Sequence, residues 1–181
     1  GNCDTCKDAS TTSTGIGLTL HNYGTIDASS RTVYGGKHNT HTSKKTKIYN
    51  YDGGMIDATD NSAVKFQFAE DFELYNYSGA TIQADTGKWG VDLEGASTIT
   101  IDNAGTISAG TSHALVCESC SDLTLTNSGT ISATTTRSVD INSVSGTNTI
   151  TNSGTISAAL SRAIRITSTT GVTITNEAGG T

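Results

Sequence analysis

The sequence contains no proline, and aromatic residues make up only 6% of its 181 positions. A chain of this length with average composition would carry roughly nine prolines. Proline removes a backbone donor wherever it stands in a sheet, so its absence is typical of a chain whose N–H groups are nearly all paired. The shortage of aromatic residues argues against an ordinary globular core packed around Phe and Trp. The length itself suits one domain of ordinary size.

Charge and long apolar runs are scarce as well. Charged residues account for 15% of the chain, which excludes a charge-rich disordered protein. The net charge of −6 argues against a nucleic-acid partner, and we expect none. No apolar run approaches the ~18 residues of a membrane span, so we expect none in this region. The chain begins at Gly1 without a signal-peptide pattern, so we expect a removed leader or a piece of a longer protein.

The sequence is dominated by an internal repeat built around one asparagine. It is clearest as ITIDNAGTISA at residues 99–109 and LTLTNSGTISA at residues 123–133. Successive repeat asparagines lie 28, 26, 27, 24, 25 and 24 positions apart, which is far too regular for chance. The repeat asparagines are Asn22, Asn50, Asn76, Asn103, Asn127, Asn152 and Asn176.

A second unit, with the pattern small–apolar–any–apolar, recurs between these segments. It occupies residues 63–66, 90–93, 114–117, 138–141 and 163–166. Each repeat therefore has three short alternating runs separated by turn residues, a pattern that predicts strands. Three strands in about 25 residues predict one coil of an all-β, parallel β-solenoid with about six to seven coils. We expect the solenoid to occupy residues 18–181, after an irregular segment at residues 1–17, with one polar, basic excursion at residues 35–46.

Stacked coils would place equivalent residues about 4.8 Å apart. The repeat asparagines would then form a ladder of side-chain amides, because asparagine carries both a donor and an acceptor. Small aliphatic residues would fill a thin core in two inward columns. One column contains Ile26, Met55 or Ile56, Ile82, Ile107, Ile131 and Ile156, and the other contains Ala28, Ala58, Ala84, Ala109, Ala133 and Ala158.

The same alignment makes opposite charges neighbours at positions predicted to point outward. These neighbours support the register, although each pair is expected to contribute little as a surface ion pair. One like-charge exception, Asp27 beside Asp57, follows the isoleucine column. The opposite-charge neighbours are Lys47 with Glu73, Lys65 with Asp92, and Asp140 with Arg165.

The repeated N-x-G-T-I-x-A with alternating apolar flanks is similar to the passenger domains of bacterial autotransporters and related large surface adhesins. The resemblance covers about residues 18–181 and implies a secreted, right-handed parallel β-helix at the bacterial cell surface. It implies no single activity, since that family includes adhesins, cytotoxins and proteases. No Gly-x-Ser-x-Gly or other protease motif stands in this sequence, so we expect no protease activity. The repeat stops at Thr181 where the next isoleucine is due, so we expect a fragment that continues beyond it.

Four cysteines form two C-x-x-C units, Cys3 with Cys6 and Cys117 with Cys120. We favour two local disulfides in an extracellular compartment. A shared zinc site is an alternative, but the solenoid would separate the two units by roughly 14–19 Å along its axis. Intermolecular bridges are a further alternative. We expect no metal site and no cofactor.

Two other polar features have ordinary explanations. His38 and His41 lie in the basic excursion, where we expect a solvated loop rather than a metal site. An outward T-x-T array resembles the ice-binding faces of small β-solenoids, but threonine is also simply a good exposed strand former. The array contains Thr124, Thr126, Thr149, Thr151, Thr173 and Thr175.

Three functions are compatible with this architecture. The first is a non-catalytic extracellular structural or adhesive protein, a stalk or adhesin region that contacts a host or cell-surface glycan or protein. The second is a filament subunit that stacks head to tail, since no clear cap closes either end of the predicted solenoid. The third is a polysaccharide-acting enzyme using Asp27, Asp57, Asp60 and Asp85. No basic residue converges on these carboxylates in the alignment, so we assign no catalytic residues and expect no enzyme.

Overall fold

The computed structural model describes residues 17–36 and 44–181, and every regular element in these ranges is a β-strand. The predicted parallel β-solenoid is confirmed. In chain order, its first nine strands are β1 (Thr19–Asn22), β2 (Thr25–Ala28), β3 (Val33–Gly35), β4 (Lys47–Asn50), β5 (Met55–Ala58), β6 (Val64–Gln67), β7 (Glu70–Asn76), β8 (Thr81–Ala84) and β9 (Val91–Glu94). The later strands are β10 (Ser97–Asn103), β11 (Thr106–Ala109), β12 (Leu115–Glu118), β13 (Ser121–Asn127), β14 (Thr130–Ala133), β15 (Val139–Asn142), β16 (Asn148–Asn152), β17 (Thr155–Ala158), β18 (Ile164–Thr167) and β19 (Val172–Asn176).

Every third strand belongs to the same parallel sheet, so each coil of the solenoid contributes one strand to each of three sheets. Sheet 1 has the order β1-β4-β7-β10-β13-β16-β19 and contains the repeat asparagines. Sheet 2 has the order β2-β5-β8-β11-β14-β17, and sheet 3 has the order β3-β6-β9-β12-β15-β18. Each strand pairs with its equivalent in the adjacent coil, which is the register that the repeat predicted.

The core is a thin stack of aliphatic side chains enclosed by the three sheets. Ile56, not Met55, takes the inward position of its coil, because Ile56 pairs with Ile26 and Ile82 while Met55 pairs with Thr25 and Thr81. The expected alanine column runs in register along sheet 2. The low aromatic content follows from this narrow interior, in which small aliphatic residues stack directly on their equivalents.

Two aromatic rings fit into the core, one of them because the adjacent coil has a glycine beside it. Phe66 and Phe72 are fully buried, with ring centroids 5.2 Å apart. Gly35, the register partner of Phe66, leaves room for that ring, because a Cβ atom at Gly35 would overlap it. A small residue in one coil thus compensates for a large one in the next, as close packing requires.

The corner between sheets 3 and 1 uses left-handed backbone conformations. In successive coils, two residues with positive φ stand on either side of a two-residue segment. Phe68 (φ 55°) and Asp71 (φ 55°) are one such pair, with residues 69 and 70 between them. The same arrangement recurs in the next coil with Gly95 (61°) and Thr98 (51°). Non-glycine residues in this conformation are uncommon, so the stacked neighbours must hold the corner in place.

The corner between sheets 1 and 2 needs glycine for a different reason. A Cβ atom at Gly129 would overlap the carbonyl oxygen of Gly105 in the preceding coil, and Gly154 stands in the same relation to Gly129. In these coils the glycine of the N-x-G motif is therefore required by the close approach of two backbones, whereas Gly24 in the first described coil has no such neighbour. Within the described ranges no helix has the length and apolar character to cross a membrane.

The predicted irregular N-terminal segment, except Gly17, lies outside the described residues, as does most of the basic excursion, including His38 and His41.

Candidate binding surfaces

The repeat asparagines form a continuous ladder of side-chain amides along sheet 1. Each Nδ2 donates to the Oδ1 of the next asparagine at 2.7–2.9 Å, through six successive hydrogen bonds from Asn22 to Asn176. The same Nδ2 groups also donate to backbone carbonyls, as Asn103 does to Gly105 and Thr130. All but the last asparagine are buried, so the ladder is a structural element and not a ligand site.

Cys117 and Cys120 form a local disulfide, with their Cα atoms 5.8 Å apart. This agrees with the interpretation favoured for that pair, and both residues are buried. Cys3 and Cys6 lie outside the described residues. In the part of the chain that the structure describes, no group of three or more His, Cys, Asp or Glu side chains is arranged to hold a metal ion.

The Lys47–Glu73 ion pair lies on the outer face of sheet 1. Lys47 Nζ lies 2.8 Å from a Glu73 oxygen, and the Tyr75 hydroxyl donates to the same carboxylate at 3.0 Å. The hydrogen bond from Lys47 lowers the pKa of Glu73, and the same bond raises the pKa of Lys47. Both side chains remain partly exposed, at 38% and 26%, so this pair matches its predicted surface position.

In the other two charge pairs, Lys65, Asp92 and Asp140 are buried, so the predicted surface position is wrong for these three residues, whereas the Arg165 side chain is 31% exposed. Lys65 is 8% exposed and lies 2.5 Å from Asp92, which is 4% exposed. Burial raises the pKa of Asp92, and the hydrogen bond from Lys65 opposes that rise. Trp89, which precedes β9, contributes to this burial, because its ring centroid lies 5.3 Å from the ammonium of Lys65. The outward side of sheet 3 is therefore partly covered at this position.

Asp140 is the centre of a polar cluster on the same side of sheet 3. The carboxylate, 3% exposed, accepts two hydrogen bonds from the guanidinium of Arg165, each at 2.7 Å. His113 Nε2 lies 2.9 Å from Asp140, and Arg137 lies 3.5 Å from it. Burial lowers the pKa of His113 although Asp140 opposes the effect, so the neutral imidazole is favoured. One carboxylate thus contacts three side chains, Arg137 of its own coil and His113 and Arg165 of the two adjacent coils.

The four aspartates considered for an enzyme do not share one environment. Asp27 and Asp57 are register partners on the outer side of sheet 2. Burial raises the pKa of Asp57, and the charges of Asp85 and Asp27 raise it further. Asp57 Oδ1 is buried without a hydrogen-bond partner, and Asp60 lies after β5 in an exposed position. The structure brings the two predicted like charges together, but it provides no acid–base pair in defined geometry.

The outer surface of sheet 1 carries a feature that the sequence analysis missed, two columns of stacked aromatic rings. In the first column, the ring of Tyr49 lies 4.9 Å from that of His21 and 5.2 Å from that of Tyr75. The ring planes are within 9° of parallel. The sequence does carry a signal for this column, since tyrosine or histidine precedes the repeat asparagine in the first three repeats.

The second aromatic column follows the repeat asparagines. The ring of Tyr51 lies 4.3 Å from that of Tyr23 and 5.0 Å from that of Tyr77, again nearly parallel. A hydrogen bond of 3.0 Å between His21 and the Tyr51 hydroxyl links the two columns. Tyr23 is 69% exposed and Tyr77 is 40% exposed. The two columns therefore present an ordered aromatic surface to solvent.

The aromatic columns adjoin charged groups and a shallow hollow on the same sheet. The hollow has a volume of about 310 Å³ and continues from the first column toward the start of the strands. Its lining residues are Lys45, Lys47, Asp71, Glu73, Thr98 and Thr100. Beyond the fourth coil the same face consists of the threonine array, in which Thr124 and Thr126 pair with Thr149 and Thr151.

No protein-family model matches the chain, and neither a curated protein nor a solved structure shows significant similarity to it.

Proposed function

We propose that the chain is a non-catalytic extracellular protein, a rigid β-solenoid that serves as a stalk or a surface-exposed adhesin region. The observation that carries this proposal is the unbroken register of the three sheets, tied together by the asparagine ladder. Such a rod holds outward side chains at steps of about 4.8 Å along its axis. Equivalent residues of several coils then form an ordered surface of fixed spacing.

The aromatic columns support the adhesive part of the proposal. Their rings are already stacked before any partner arrives, so binding loses little side-chain entropy. Tyrosine combines a large apolar ring with a hydroxyl that hydrogen-bonds, which is why it is enriched at recognition surfaces. The exposed rings of Tyr23 and Tyr77 support this face as a contact surface.

The extracellular location is supported by two observations. The Cys117–Cys120 disulfide is typical of proteins in oxidising compartments. The N-x-G-T-I-x-A repeat resembles the passenger domains of autotransporters and related surface adhesins. We therefore propose a surface-exposed region of that general type, with a glycan or protein of another cell as its partner.

An adhesion measurement tests this function. Beads coated with the oxidised 181-residue chain are placed under flow on surfaces carrying glycans, extracellular-matrix proteins or whole cells. We expect detachment forces above those of beads coated with the unfolded, reduced and alkylated chain. Equal detachment on every surface would contradict an adhesive role. Intact cells of the source organism, treated with protease, provide the test of location, since a surface-exposed solenoid is accessible to cleavage.

A further inference from the structure

The two aromatic columns end between the third and fourth strands of sheet 1. Asp102 takes the position of the next ring after Tyr75, as the register of β7 and β10 shows. Ala104 takes the position of the next ring after Tyr77. The N–H of Ala104 donates to the carbonyl of Asn76, and the N–H of Tyr77 donates in the same way to the carbonyl of Asn50. Tyr51 covers one face of Tyr77, and only a methyl group occupies the next position in the column. We call the space beside Tyr77 and over Ala104 the stacking shelf.

We propose that the stacking shelf binds a neutral hexopyranose ring of a polysaccharide. This inference rests on the adhesive function proposed above and names its ligand class. The rings of the column repeat at 4.3 and 5.0 Å, close to the spacing of the coils, so another flat six-membered ring fits the next step. The C–H face of a pyranose is apolar and covers the open face of Tyr77, much as Tyr51 covers the other.

The groups around the stacking shelf suit a ligand that carries hydroxyls. Asp102 is exposed beside the shelf, and its carboxylate accepts hydrogen bonds from two directions. Thr100 and Glu73 lie further along the same face, where they line the hollow. A purely apolar ligand would desolvate these polar groups without replacing their hydrogen bonds, which costs free energy.

Charge favours a neutral sugar over an acidic one. Asp102, Glu73 and Asp71 all lie on this face, and Lys47 is already paired with Glu73. An anionic sugar on the shelf would meet these carboxylates, whereas Lys45, the other cation that lines the hollow, stands four positions before Tyr49 toward the start of the strands. The hollow of about 310 Å³ begins at Glu73 and Thr100, where it accommodates a second sugar unit of the same chain.

The test compares two leucine substitutions that differ by one coil. Ala104→Leu fills the stacking shelf and covers Tyr77, whereas Ser128→Leu places the same side chain in the next coil of that column and leaves the shelf open. The probes are maltohexaose and cellohexaose as neutral oligosaccharides, polygalacturonate as an acidic one, and a polylysine peptide as a cation. Titration calorimetry on the oxidised 181-residue chain gives the affinities, and circular dichroism verifies the fold of each variant.

We expect one or both neutral oligosaccharides to bind, with affinity roughly tenfold lower in Ala104→Leu and unchanged in Ser128→Leu. Tyr77→Phe keeps the ring and should bind within about twofold of the original chain, whereas Tyr77→Ala should match Ala104→Leu. Failure of both neutral sugars to bind, or equal binding by the two leucine variants, would overturn the proposal. Binding of polylysine alone, lost in Asp102→Asn, would overturn it in favour of a cationic partner. If the sugar proposal is overturned but the beads still adhere in the flow assay, the adhesive function stands and only this ligand is rejected.

Discussion

Asn103 donates from Nδ2 to the Oδ1 of Asn127 across 2.7 Å, at a position where both residues are fully buried. Its own Oδ1 accepts from Asn76, also at 2.7 Å. Each inner asparagine therefore satisfies a neighbour on either side, and replacing one of them leaves two buried polar groups short of a partner.

Replacement of Asn103 by alanine should lower the free energy of unfolding by roughly 2–4 kcal/mol, because two buried groups lose their hydrogen bonds. The same change at Asn176 is the matched control. Asn176 is exposed at the end of the described ladder, and its loss should cost about 1 kcal/mol or less. Urea denaturation followed by circular dichroism measures both. Equal costs at the two positions would show that the ladder does not contribute as described.

Removal of the Asp140 charge should be far more costly than removal of the Glu73 charge. Asp140→Asn leaves Arg165 and Arg137 without their carboxylate and should cost about 3 kcal/mol, the lower end for a buried pair because Arg165 keeps some hydration. Glu73→Gln breaks a partly exposed pair and should cost roughly 0.2–1 kcal/mol. Denaturation at low and at high salt provides a second readout, since added salt should weaken only the effect of Glu73→Gln.

Asp57→Asn should stabilise the protein at pH 7 by roughly 0.5–1 kcal/mol, because it removes a charge that is desolvated by burial and repelled by Asp85 and Asp27. The sign follows from the raised pKa of Asp57: the folded state binds that proton more tightly than the unfolded chain, so ionisation destabilises the fold. The gain should shrink as the pH falls through the raised pKa, and it should vanish below the ordinary value of 3.8.

Thermal unfolding of Asp57→Asn from pH 3 to pH 8 measures this dependence, with Asp102→Asn on another sheet as the control. A stabilisation that is independent of pH would mean that the carboxylate charge is not its cause.

Reduction of the Cys117–Cys120 disulfide should lower the stability without unfolding the solenoid. The bridge closes a loop of only three positions, so its expected contribution is roughly 2 kcal/mol. Urea denaturation of Cys117→Ala/Cys120→Ala, compared with the original chain with and without reductant, isolates this contribution. The double variant should not respond to the reductant. A further loss of stability in that variant on reduction would point to Cys3 and Cys6.

Several features of the site could be predicted from single columns of the repeat. The asparagine spacing predicts the ladder, and the alternation of charge predicts that Lys47 meets Glu73 and that Asp140 meets Arg165. The stacked rings were equally predictable in principle, because Tyr51 and Tyr77 each follow a repeat asparagine.

Other features had a weak signal in the repeat or none. Phe68 and Asp71 adopt positive φ at the corner before β7, and in the next coil only Gly95, the equivalent of Phe68, marks this turn with a glycine. The burial of Lys65 and Asp92 was missed because strand alternation places them on the outer side of sheet 3. Trp89, which precedes β9, covers part of that side, and alternation says nothing about what a neighbouring segment covers.

The sequence by itself determined the coil, the register and the core columns of this protein. It could do so because a parallel stack with one strand per coil in each sheet makes equivalent positions neighbours, so counting along the chain becomes a measure of distance. Tertiary structure alone decided which outward columns are covered and how the corners turn. These properties depend on side chains from different positions in the coil meeting across a bend, and the spacing of the repeat carries no information about that bend.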